Sequence, residues 1–236
     1  MKVGTWNVAW RKPESPAGSV MRDQLLKSGS EVLCITEAHA AFMGPDGHTI
    51  SASPDYGYPL IADRRKVLLW SRSPWEEIDT VGEETMPGGR FVAGRTVTSG
   101  SPMLFIGVCI PWAAAHVSTG RRDRKRWDDH ISYLKGLGEY LERTGESFVI
   151  MGDFNQAIPR RRAPVRVFDA LEKAVLRKAR IFTQGGFERH GFPIDHIGAS
   201  PDINCMDVRA LSAFDEKGTR LSDHFGLLAG LEMPSS

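Results

Sequence analysis

Phe148-Val149-Ile150-Met151-Gly152-Asp153-Phe154-Asn155 is the stretch from which the rest of the chain can be read. Its first four residues are apolar and fit a short buried strand. Gly152, Asp153 and Asn155 then interrupt it and place an acid and an amide where the strand reaches solvent. Side chains held by a rigid strand but exposed at its end are well placed for chemistry. Taken alone, G-D-x-N is equally the turn that follows any strand. Its meaning depends on whether similar strand ends recur.

They recur in order along the whole chain. Similar apolar runs cover Val3 to Ala9, Glu31 to Thr36, Val67 to Ser71, Phe91 to Val97, Met103 to Ile110, Ile194 to Ala199, Cys205 to Ala210 and His224 to Leu231. Thr5-Trp6-Asn7 ends the first run and Ile35-Thr36-Glu37 the second, while Ile194-Asp195-His196 and Leu221-Ser222-Asp223-His224 open later ones. Ser19 to Lys27, Arg126 to Glu142 and Val165 to Arg177 read as helices; the second carries Ile131, Leu134, Leu137 and Leu141 at helical spacing. Many strands with interspersed helices predict a mixed α/β layered fold. The polar connections 38–57, 73–89, 111–125, 155–164 and 184–193 are where substrate contacts are expected.

Composition narrows the class. The chain has 236 residues, 41% of them hydrophobic and 25% charged, with no internal repeat and no dividing linker, so a single domain over 1–236 is expected. Three widely spaced cysteines form no C-x-x-C pair, which argues against a disulfide framework or zinc site. Cys34 and Cys109 lie in apolar runs and read as reduced core thiols. No run approaches the roughly 18 apolar residues of a spanning helix, and the N-terminus has no signal-like segment, so no membrane insertion and a cytoplasmic location are expected. Net charge is +1, yet Arg64-Arg65-Lys66, Arg121 to Arg126 and Arg160-Arg161-Arg162 are local basic clusters of the kind polyanions respond to.

Asp, Glu and Asn side chains are hard oxygen donors that suit Mg²⁺, with Mn²⁺ as a substitute. The set T-W-N, I-T-E, G-D-F-N, I-D-H and S-D-H resembles the metal-dependent endonuclease/exonuclease/phosphatase superfamily from Asn7 to His224. The resemblance implies a four-layer α/β sandwich, two packed mixed β-sheets flanked by helices, with the site at one edge. It implies Glu37 as principal metal ligand with Asn7 beside it and Asp223 contributing, and Asp153 as the group that aligns or deprotonates the attacking water. Asn155 would donate to a phosphate oxygen. Asp223 would hold His224, which binds phosphate or transfers a proton, and Asp195 would be an accessory acid. The reaction implied is in-line attack of water on phosphorus.

One position departs from the pattern. Relatives carry a Tyr or His at the strand end read here as Gly107-Val108-Cys109-Ile110-Pro111-Trp112, and His116 or an arginine of the next loop is expected to stand in. Trp112 reads as a stacking platform for a base. Arg121 and Arg122 lead into a helix whose dipole they oppose, which calls for an anion to offset them. Arg160 follows Asn155 within five residues and is expected on the substrate path. These features favour a DNA or RNA nuclease. A phosphatase or phosphodiesterase for a small-molecule or lipid phosphoester, and an inactive nucleic-acid-binding module, are the alternatives. Sequence is silent on oligomeric state.

Overall fold

A computed structural model describes residues 1–233. Strands β1 (Lys2–Asn7), β2 (Val32–His39), β3 (His48–Ser51), β4 (Arg64–Ser71), β11 (Asn204–Leu211) and β12 (Gly226–Glu232) form one sheet in the order β11-β12-β1-β2-β4-β3. The second sheet runs β5-β6-β7-β8-β10-β9, from β5 (Trp75–Asp79), β6 (Phe91–Thr98), β7 (Ser101–Cys109), β8 (Phe148–Asp153), β9 (Arg180–Ile181) and β10 (Asp195–Ala199). Each sheet has one parallel pair at its centre, β1 with β2 and β7 with β8. Helix α1 (Pro16–Lys27) connects the first pair and α2 (Asp128–Arg143) the second, as parallel pairing requires. α3 (Val165–Leu171) continues into a π-helical turn over Glu172–Leu176.

The layers follow from side-chain alternation. On β2, Val32 and Cys34 face Phe105, Val149 and Met151 of the other sheet, while Leu33 and Ile35 pack with Met21 and Leu25 of α1. On β7, Ile106 and Val108 join Leu134, Leu137 and Leu141 of α2. Strands covered on both faces read as continuous apolar runs, which is why the sequence shows few alternating strands. The result is the expected four-layer α/β sandwich of two mixed sheets between helices.

Two connections expected to be loops contain edge strands, β3 and β5. Their residues are mostly polar, and Ile50 in β3 or Trp75 and Ile78 in β5 make no apolar run, because an edge strand has a neighbour on one side only. α1 begins at Pro16 rather than Ser19: Ser15 caps it by accepting from Gly18 N (3.1 Å), and proline is tolerated in a first turn.

Topology gathers the polar strand ends. The carboxyl ends of the parallel strands β1, β2, β7 and β8 meet the starts of the antiparallel strands β10 and β12. Asp195 pairs in register with Asp153, and Cys109 lies opposite Asp153 on the other side.

Candidate active site

A cleft of about 620 Å³ opens at this edge, lined by Asn7, Glu37, Asp153, Asn155, Asp223 and His224. Gly152 makes the placement of Asp153 possible. Its φ is +133°, and a Cβ there would lie 2.0 Å from the Val108 carbonyl oxygen, so only glycine lets β8 approach β7 this closely. Asp153 is buried; its Oδ2 accepts from Asn7 Nδ2 (3.1 Å) and its Oδ1 from the Asn155 amide (2.8 Å). Glu37 sits in a left-handed kink of β2 with φ 50°, a strained conformation for a non-glycine residue. It faces Lys66 across the strand pair, and Lys66 Nζ donates to Glu37 Oε1 at 2.6 Å.

His224 is held by Asp195, with Nδ1 2.5 Å from Oδ2, and not by its neighbour Asp223, which is exposed at the cleft rim. This corrects the expected pairing: Asp195 crosses from the other sheet while Asp223 turns outward. Trp6, fully buried beneath the site, donates from Nε1 to the His224 carbonyl (3.0 Å). Burial opposes charge on the His224 ring, but Asp195, with Asp153 and Asp223 adding, outweighs it and raises the pKa to about 10. The ring is therefore a cation at neutral pH, with Nδ1 committed and Nε2 left for a substrate. Burial, and next the charge of Asp195, pushes the Asp153 carboxyl upward against the pull of His224.

The residues present fit a divalent cation. Ligand atoms of Asp153, Asp195 and His224 lie within 4.8 Å of one another, and Asp195 Oδ1 is buried without a partner. This cluster differs from the expected set of Asn7, Glu37 and Asp223. Glu37 is drawn to Lys66, and the Asn7 amide oxygen accepts from Ala9 N (3.0 Å). Of the cluster, His224 is the weak ligand because its Nδ1 already serves Asp195.

The sequence profile of the Endonuclease/Exonuclease/phosphatase family matches residues 4–224. The chain belongs to this family. Its members are hydrolases acting on phosphoester bonds and generally depend on divalent metal. No curated protein sequence matches the chain. Among solved structures, the 3'-5' exonuclease NExo from Neisseria meningitidis is 20% identical with TM-score 0.68, all of both chains being covered. A singly substituted form of the 3' phosphatase NExo from Neisseria, bound to a product DNA hairpin, is 19% identical with TM-score 0.69, over 98% of this chain and 99% of that one. Humanized D. rerio TDP2 is 11% identical with TM-score 0.72, covering 99% of each chain.

On the strand end where a Tyr or His was expected, Cys109 is buried and lines the cleft. Burial raises its thiol to about 12, so it is neutral and no nucleophile. His116 does not replace the missing residue. It is buried behind Tyr58, with ring centroids 4.5 Å apart, and burial together with Arg121 lowers its pKa. Arg90, unmarked in the sequence, lines the cleft instead: it is 2% exposed, and its Nε and Nη2 have no partner. A lone arginine before a strand ordinarily reads as solvated; the only sequence signal was its place after Gly88-Gly89.

Of the three basic clusters, Arg64-Arg65-Lys66 reaches the cleft, whereas those at Arg121 to Arg126 and Arg160 to Arg162 do not line it. Arg124 Nε pairs with buried Asp129 at 2.8 Å, and Arg121 lies 3.5 Å from Asp123 and 3.7 Å from Asp129. Asp128 and Asp129 occupy the first turn of α2, so the helix end supplies its own offsetting charge and needs no external anion. Arg122 is exposed with φ 59°, and Arg160 donates to the Ala163 carbonyl (3.0 Å). The cations at the cleft are Arg64, Lys66 and Arg90. Asn155 reaches the cleft; one N–H of its Nδ2 donates to the Ile110 carbonyl (2.8 Å), which fixes the amide and leaves its second N–H for a phosphate oxygen.

Proposed function

We propose that this chain is a Mg²⁺-dependent phosphodiesterase that cleaves nucleic acid by in-line attack of water. The observation that carries the phosphate reading is Arg90. A buried guanidinium with two unpartnered nitrogens is costly, and its planar donor fork matches a phosphate. It shares the cleft with a protonated His224 and a carboxylate whose proton affinity is raised, the groups that hydrolysis of a phosphoester needs.

Asp153 orients the attacking water and takes its proton; the Asn7 amide and the Asn155 backbone N–H fix the carboxylate for that task. His224, aligned by Asp195, stabilises charge on the phosphate or protonates the leaving oxygen through Nε2. Arg90 holds non-bridging oxygens. Asp153 and the unpartnered Oδ1 of Asp195 would hold the cation, with Glu37 and Asp223 at the cleft as further carboxylates, and when bound the cation would neutralise charge on the phosphoryl oxygens and acidify water. The DNA-bound Neisseria structure and the aromatic cleft wall support nucleic acid as substrate. Three free cysteines agree with a reducing compartment such as the cytoplasm. A small phosphoester is the second reading, favoured by a cleft volume ordinary for small ligands.

A panel of oligonucleotides and small phosphoesters, with Mg²⁺, Mn²⁺ and EDTA arms, separates them. Oligonucleotide cleavage with either metal and none in EDTA is expected. Asp153→Asn should lower the rate on the order of a hundredfold or more. Intact oligonucleotides beside hydrolysed small esters would overturn the nucleic-acid reading.

A further inference from the structure

The mouth of the cleft is aromatic where a duplex-binding face would be basic. Trp10 stacks on Tyr56 (6.0 Å), Tyr56 meets Tyr58 (5.8 Å), and Arg64 and Lys66 lie over the Trp10 ring at 4.8 and 5.0 Å. These rings and two of the three cleft cations are thus engaged with one another. Trp112 differs. It lines the same cleft and is 47% exposed; the Tyr58 side chain comes within hydrogen-bond reach of it, but no ring or cation is stacked on it among the described residues.

Its backbone, by contrast, is pinned from several sides. Ile110 N donates to the Asp153 carbonyl (2.8 Å), His130 Nδ1 donates to the Pro111 carbonyl (2.6 Å), and Ala115 N donates to the Trp112 carbonyl (3.0 Å). An exposed indole on a fixed backbone, two residues after the Ile110 amide that bonds Asp153, is a preorganised stacking surface. A base inside a duplex is hidden in its stack and reaches such a ring only when extruded, at an energetic cost a single strand does not incur. Tracking two duplex backbones also requires rows of free cations, and Arg121 and Arg124 are held by Asp123 and Asp129.

We infer that the cleft takes an unpaired nucleotide, its base stacked on Trp112 and its phosphate at Arg90, so that the protein acts on single-stranded segments in preference to intact duplex. This rests on the nucleic-acid reading above. The test compares a single-stranded oligonucleotide, the same strand in a blunt duplex, and a strand of equal length in which stable abasic residues replace every nucleoside.

Wild type should show kcat/KM about tenfold or more higher on the base-bearing single strand than on the other two. Trp112→Ala should erase most of that preference by raising KM for the base-bearing strand, and Trp112→Phe should restore much of it. Equal cleavage of all three, or a Trp112→Ala loss of the same proportion on base-bearing and abasic strands, overturns this inference and leaves the nuclease reading standing. No cleavage of any strand overturns the nuclease reading, and this inference with it.

Discussion

His224 owes its charge to one neighbour on another sheet. Burial would lower its pKa, and Asp195 reverses that to about 10. In the metal-free protein, Asp195→Asn should therefore bring the ring down to or below the ordinary value near 6.5. An NMR titration of the imidazole reads this directly; a ring still protonated at pH 8 would show that Asp153 and Asp223 sustain the charge without Asp195. The resemblance implied Asp223 as the partner of His224, and packing gives Asp195 instead, because neighbours in the chain need not point the same way. Arg90 is the converse case. Its identity was visible, but only packing shows that it is buried, without partners at Nε and Nη2, and part of the cleft lining.

At the level of secondary-structure elements, β8 and its glycine carry the site. Gly152→Ala would force a Cβ against the Val108 carbonyl in a conformation that L residues rarely adopt. Destabilisation of about 2 kcal/mol or more is expected, read from urea unfolding, with a parallel loss of cleavage as Asp153 moves. An unchanged midpoint would mean that β7 and β8 separate freely. Long, doubly covered strands and the amphipathic α2 were legible in sequence, since burial on both faces or along one stripe leaves a pattern. β3 and β5 were not legible, because edge strands are specified by the neighbour they pair with. The start of α2 was misread electrostatically: Asp123, Asp128 and Asp129 already answer the arginines before them.

Across the protein as a unit, two buried histidines couple stability to pH. His130 and His196 are both lowered to about 4, burial being the main cause, and they flank Gln156: His130 Nε2 lies 2.8 Å from Gln156 Nε2, and His196 Nε2 donates to the Gln156 carbonyl (2.9 Å). A histidine lowered on folding binds fewer protons folded than unfolded, so its stability is full above about 6.5 and is lost as pH falls toward about 4. The His224 contribution has the opposite sign of shift and is complete below 6.5, so it stays flat across this window, whereas Asp153, raised on folding, gains stability there as pH falls. A variant comparison isolates the effect. In His130→Gln the stability difference between pH 7 and pH 4.5 should shift by up to about 2 kcal/mol in favour of acid relative to wild type. Identical pH dependences of the two proteins, measured by urea unfolding, would remove His130 from the account.

Reading along the chain was enough to establish the order of polar residues at strand ends, the α/β layering and hence the family, because apolar periodicity and local motifs are written in neighbouring residues. It took the packed molecule to show that Asp195 rather than Asp223 holds His224, that Arg90 rather than His116 faces the cleft, and that Arg121 and Arg124 are neutralised within their own loop. The first two outcomes turn on contacts between residues far apart in the chain, and the third on how a loop folds back on the helix it precedes. A charge near a strand or helix end is therefore a candidate until the packing shows what stands opposite it.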